Sequence, residues 1–263
     1  MDNEKLARSL TAEGTALLPY LPYLLQDLWN LGTPVKSLVS LVQRHIPDIF
    51  GLNSLGASPF RVLDLGCGKG AVGLPLVKET GASVHFVDAF PEFIEYVKMK
   101  AAEMNVKNCT FSTEDITQTV QSARNFDMVL LCAVGNIFGN AGATVKALKQ
   151  TVRNGGYIVI YDAYTTGNQE TLKFSDDYEQ LNDWLEAFAH NGIQIVEQLD
   201  DKDIVYDDVD NDWNNHCIAQ RAVELGEKYP DKKYLFESYV QSQLSECDDI
   251  KKLNGAIWLL KII

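Results

Sequence analysis

The sequence predicts an α/β fold in which a parallel sheet is covered by helices on both faces. Three observations predict it. From Phe60 onward, strand-like apolar runs alternate with helix-like segments, the pattern that builds parallel sheets with crossover helices. The first of those runs passes directly into a glycine-rich turn and then a helix. Two long segments, 1–58 and 200–254, carry helical rather than strand-like patterning and lie outside the alternation.

The strand-like runs are 60–65, 83–87, 110–112, 127–132, 157–161 and 193–198, and a last run, 256–263, closes the sheet. Of the connecting helices, 93–105 carries apolar residues at helical spacing, and 178–190 ends in Asn191-Gly192, a stop signal. The domain organisation expected is a helical cap over 1–58, a sheet domain over 59–199 and 255–263, and a helical lid over 200–254. Within that lid, Phe236, Val240, Leu244 and Cys247 share one stripe, read as core packing.

Composition narrows the function. With 23 Lys and Arg against 36 Asp and Glu, the net charge is -13, which repels phosphate backbones and anionic lipid heads. Nucleic acid and membrane are therefore not expected partners. Five widely spaced cysteines form no Cys-x-x-Cys pair, against both a disulfide framework and a zinc site. The acidic start Met1-Asp2-Asn3-Glu4 lacks the basic region of a signal peptide, and a cytoplasmic location is expected. The aspartate-rich stretch 200–212 is a solvated loop, because Trp213 stands where a calcium loop needs glycine. The four histidines have no metal-ligand spacing, and no metal is predicted.

The run Val62-Leu63-Asp64-Leu65-Gly66-Cys67-Gly68-Lys69-Gly70-Ala71-Val72-Gly73 carries the chemistry. Glycines there allow positive φ and close approach of the backbone to a ligand. Gly66, Gly68 and Ala71 also satisfy the loose dinucleotide pattern. Asp64 separates the two readings: a carboxylate beside a pyrophosphate is repelled, whereas the ammonium and sulfonium of S-adenosylmethionine are attracted. Asp88, ending the second strand in Val87-Asp88-Ala89, suits the ribose hydroxyls, and Asp115-Ile116 after the third strand suits the adenine amino group and ring. Each aspartate alone is equally well read as a helix N-cap.

Through Asp64-Leu65-Gly66-Cys67-Gly68-Lys69-Gly70, Asp88 and Asp115-Ile116, the chain resembles the class I, Rossmann-like S-adenosylmethionine-dependent methyltransferases over about 60–199 and 256–263. The resemblance implies a seven-stranded, mostly parallel sheet in the order 3-2-1-4-5-7-6 with the last strand antiparallel. It assigns cofactor contacts to Asp64, Gly66, Cys67, Gly68, Gly70, Asp88, Ala89, Asp115, Ile116 and Cys132, and matches Arg153-Asn154-Gly155-Gly156-Tyr157 to the turn before strand five. The stretch after strand four, Cys132-Ala133-Val134-Gly135-Asn136-Ile137-Phe138, lacks the Pro-Pro-aromatic run of amino-methylating nucleic-acid enzymes, and no Pro-Cys pair signals a cytosine nucleophile. The expected acceptor is a small molecule. Asn136 and Asp162, at the carboxyl ends of strands four and five, are candidates to orient or deprotonate it. Tyr20 and Tyr23 are expected to line the active site, where rings attract a sulfonium. A nicotinamide-dependent oxidoreductase and a cofactor-binding protein without transfer activity remain as alternatives.

Overall fold

The structure, a computed structural model, describes residues 2–45, 59–165, 178–206 and 210–263. The part of the expected cap over 46–58 lies outside the described residues, as do 207–209 of the acidic stretch. Seven strands form one sheet in the order β3-β2-β1-β4-β5-β7-β6: β1 (Arg61–Leu65), β2 (Ser83–Asp88), β3 (Cys109–Thr113), β4 (Phe126–Cys132), β5 (Val152–Tyr164), β6 (Ile193–Asp200) and β7 (Asn254–Ile262). The pairs from β3 to β5 are parallel, and β7 runs antiparallel to both β5 and β6. This is the order expected, and the fold is the Rossmann-like methyltransferase fold.

Four helices precede the middle of the sheet: α1 (Asn3–Arg8), α2 (Leu21–Leu24), α3 (Val35–His45) and, after β1, α4 (Gly73–Thr80). Between later strands come α5 (Pro91–Glu103), α6 (Ile116–Ser122), α7 (Ala141–Lys149) and α8 (Leu181–His190). Helices α3, α4 and α5 cover one face of the sheet through Leu38, Leu41, Leu74, Val77 and Val97. Helices α6, α7 and α8 cover the other through Val120, Val145, Leu148, Trp184 and Phe188. Both faces are apolar because a parallel sheet buries both. Strands β1, β4 and β7 accordingly carry runs of Val, Leu and Ile.

The long pair α9 (Asn211–Lys228) and α10 (Lys233–Ile250) occupies the insertion before β7. A third core joins this pair to the amino-terminal segment, with Ala7, Leu17, Leu21, Leu24 and Leu28 packed on Ile218, Leu225, Phe236 and Tyr239. The amino-terminal segment and this helix pair thus share one core. Among its described residues the segment 1–58 is not uniform, because α3 packs on the sheet rather than on the helix pair.

Two expectations shift in detail. The Asn154-Gly155-Gly156 turn lies inside β5 as an irregularity of register, since Phe126 pairs with Val152 and Met128 with Tyr157. A side chain at Gly156 would meet the Asp127 carbonyl at 2.8 Å, so the two strands approach there as only glycine permits. On α10 the buried face runs through Phe236, Tyr239 and Ser242, while Leu244 is exposed. Polar ties set that rotation: the Tyr239 hydroxyl donates to the Leu10 carbonyl at 3.1 Å, and Ser242 donates to Glu13 at 3.1 Å.

Candidate active site

A cavity of about 800 Å³ opens at the carboxyl edge of the sheet, roofed by the cap and the lid helices. Crevices at this edge are where open α/β sheets bind ligands. Its floor begins where β1 ends. Gly66, Gly68 and Gly70 have φ of +65°, +50° and +78°, values that side chains rarely adopt. A Cβ at Gly66 would lie 2.8 Å from Val134 Cγ2, and one at Gly68 would lie 2.8 Å from Leu31 Cδ1. The loop therefore presents bare backbone to the cavity.

Three buried carboxylates stand around that loop. Asp64, 4% exposed, leaves its Oδ2 without a hydrogen-bond partner among the described residues. Burial, helped by the charge of Asp88, pushes its carboxyl up to about 7, and the Gly73 amide opposes the rise. Asp88 accepts the Gly68 amide at 2.8 Å and the Phe90 amide at 3.0 Å. Burial lifts it to about 6, those amides pulling the other way. Asp115 caps α6, accepting from the Thr117 amide at 2.9 Å, and Ile116 is buried beside it. Asp115 is thus a helix N-cap that also lines the cavity.

The structure brings together on the cavity wall Asp64, Gly66, Cys67, Gly68, Asp88, Ala89, Asp115, Ile116 and Cys132, and, at the far side, Asn136 and Asp162. Gly70 does not reach the wall, because its amide turns inward to the Cys67 carbonyl at 2.8 Å and its missing Cβ makes room for Val97 and Leu74. Burial pushes the Cys67 and Cys132 thiols well above their usual range, so both stay protonated. Burial likewise raises Asp162 to about 7, opposed by the Ala163 amide and helped by the charge of Glu179.

Tyr20 and Tyr23 are not on the wall, contrary to the expectation. Tyr20 packs edge-on against Phe236 and Tyr229, and its hydroxyl accepts from Lys232 at 2.8 Å. The Tyr23 hydroxyl donates to Glu224 on the outer side of α9. Both tyrosines fasten cap to lid. The aromatic that does reach the cavity from the cap is Trp29, with Leu28 and Leu31. From the lid come Asn214, Ile218, Tyr239 and Gln243. These escaped the sequence reading because their rotation on each element is set by the cap and lid packing on one another.

The donor set tests which cofactor fits. The cation nearest the glycines, Lys69, directs its ammonium to the Leu25 and Gln26 carbonyls, so it is not offered to a phosphate. What faces the cavity at the loop is carboxylate, including an orphaned buried oxygen of Asp64. That set suits a cation and disfavours a pyrophosphate. S-adenosylmethionine, a sulfonium with an ammonium and no phosphate, fits that set.

Comparison with known proteins agrees. The family described as a methyltransferase domain matches residues 58–222. The ubiquinone biosynthesis O-methyltransferase of Rickettsia felis is 28% identical over 217 residues, 74% of this chain and 81% of that protein. Aklanonic acid methyltransferase DauC of Streptomyces sp. (strain C5) is 36% identical over 72 residues, 27% of this chain; the match spans only 33% of the relative's length. Ribosomal RNA methyltransferases also occur among the matches. In three dimensions, a Geobacter sulfurreducens S-adenosylmethionine-dependent methyltransferase in complex with S-adenosyl-L-homocysteine superposes with TM-score 0.69 at 19% identity, over 92% of this chain and 97% of that one. The chain belongs to the methyltransferase-domain family, within the S-adenosylmethionine-dependent class.

Proposed function

We propose that the protein transfers the methyl group of S-adenosylmethionine to a small molecule held between the β4–β5 edge and the lid. The observation that carries this reading is the roof: α1, the 25–33 segment, α9 and α10 all contribute to the wall opposite the sheet edge. A chamber of about 800 Å³ has the size of a drug-sized ligand site. Folded RNA needs an open basic surface, and this chain carries a net charge of -13.

The cofactor supplies an electrophilic methyl carbon bonded to a sulfonium. When bound, it would offer that carbon to the acceptor's lone pair, with the thioether sulfur as the leaving group that keeps the bond's electron pair. This chain supplies position and dryness. Asp162, ionised above about pH 7, takes the acceptor's proton, and Asn136 orients the acceptor from the turn after β4. Tyr239, Ile218 and Gln243 form the opposing wall, which selects the acceptor's shape.

The experiment is incubation of the purified chain with methyl-labelled cofactor against fractionated small metabolites and, separately, against ribosomal RNA. Label in a metabolite fraction supports the reading. Label in RNA alone would replace it with the reading that the ribosomal RNA relatives favour. Cofactor binding with no labelled product in either would favour a binding protein.

A further inference from the structure

Lys69 interrupts the glycines of the loop, yet its side chain is 3% exposed. Its Nζ donates to the Leu25 carbonyl at 2.7 Å and the Gln26 carbonyl at 2.6 Å. Those carbonyls follow the last turn of α2, where backbone acceptors lack helical donors and a cation is favoured. The Tyr96 ring, from α5, lies 5.0 Å from the same nitrogen. One lysine therefore ties the glycine-rich loop to the cap.

The tie continues beyond the cap. Asp27, adjacent to those carbonyls, takes Arg221 of α9 in a two-pronged pair at 2.6 and 3.0 Å. From these two ties onward runs a stretch that forms cavity wall beside the loop, including Leu28, Trp29 and Leu31. Leu31 sits on the bare face of Gly68, 2.8 Å from where a Cβ would stand, and Trp29 packs on Tyr96 at 5.8 Å.

We propose that Lys69 is a positioning residue that clamps residues 25–33 over the cofactor bound on the glycine-rich loop, and that the Asp27–Arg221 pair passes this closure on to lid helix α9. The proposal rests on the reading that the cofactor lies on that loop. A surface lysine in a loop would be solvated and free; this one exchanges water for two carbonyls of the very segment that covers the site. Cofactor retention and lid position are thereby set by one group.

The test uses the whole chain, with S-adenosyl-L-homocysteine as probe and two readouts: amide hydrogen exchange without ligand, and the probe's dissociation rate. Lys69→Met, which keeps the stem and removes the donors, is expected to speed exchange of the 25–33 amides and release of the probe, each about tenfold, with β1 and β4 amides unchanged. Asp27→Asn is expected to move both in the same direction. The double variant is expected to go no further than the larger single effect, because the two residues act in one chain of contacts. Wild-type exchange at 25–33 with wild-type release in Lys69→Met would overturn the proposal, as would additive effects. Should Lys69→Met not fold, Asp27→Asn carries both readouts, and wild-type behaviour there has the same meaning. Failure of the wild-type chain to bind the probe would overturn the cofactor reading instead, and is visible before any variant is made.

Discussion

The Gly68 amide donates to Asp88 Oδ2 at 2.8 Å, joining the glycine-rich loop and the carboxylate at the end of β2 into one unit. The second oxygen, Oδ1, takes the Phe90 amide at 3.0 Å. Asp88 thus shapes the loop as well as facing the cavity. Asp88→Ala leaves two buried amides unpaired, which costs about 1–3 kcal/mol each. The expected outcome is a lower unfolding temperature together with at least about tenfold weaker binding of S-adenosyl-L-homocysteine, read by calorimetric titration; Asp88→Asn keeps one acceptor oxygen and loses less stability.

Gly66→Ala tests the bare backbone of the loop. At φ +65° the new methyl would stand 2.8 Å from Val134 Cγ2, so both the backbone and the turn after β4 must shift. Left-handed strain of about 1–2 kcal/mol adds to the clash. Cofactor affinity falls while the sheet persists, which far-ultraviolet dichroism alongside ligand titration would show.

The pH dependence of cofactor binding follows from Asp64 and Asp88. Both carboxyls are raised in the folded chain, to about 7 and about 6, chiefly by burial. A raised acid contributes stability at low pH that is lost as pH climbs through the folded value. The ligand-free protein therefore loses stability between about pH 4 and pH 7. A cationic ligand favours the ionised form, so its affinity moves the opposite way, rising about tenfold between pH 6 and 8. Asp64→Asn flattens this profile, measured with S-adenosylmethionine by titration calorimetry in buffers of matched ionic strength.

What the sequence disclosed and what it withheld follow a physical division. The β1 strand, its glycine turn and the carboxylates Asp88 and Asp115 were legible because each is decided locally, by an apolar run, a positive φ or a helix start. The sheet order came with the family resemblance. The side chains of the roof were not legible. Tyr20 and Tyr23 have the composition of a site, but the turn preceding α2 and the packing on Phe236 rotate them away, and Trp29 comes in instead. Lys69 gave no signal beyond its place among glycines, since its partners are carbonyls forty-three and forty-four residues earlier in the chain.

That misplacement makes its own prediction. Tyr20→Phe removes the acceptor of Lys232, and Tyr23→Phe the hydroxyl's hydrogen bonds to Glu224 and Arg221 on an exposed edge. Cofactor affinity is expected to stay within about twofold of wild type in either variant, with little change in unfolding temperature. A loss of affinity in Tyr20→Phe comparable to that of Asp88→Ala would return this tyrosine to the site.

Asp162 is the residue whose charge state decides turnover if it takes the acceptor's proton. It stands at the carboxyl end of β5, on the cavity wall, and burial holds it at about 7. As a base it works only when ionised, so the rate with a proton-bearing acceptor rises with pH and levels above about 7. Asp162→Asn keeps the side chain's shape and its acceptor for the Ala163 amide, bonded at 2.8 Å, so folding and S-adenosyl-L-homocysteine binding are retained. Turnover is expected to fall about 100-fold or more, the contribution of a positioned base, and the rise near pH 7 is expected to vanish with it. An undiminished rate with an unchanged pH profile would show instead that the acceptor arrives deprotonated, leaving Asp162 to orient it and the chemistry to position alone.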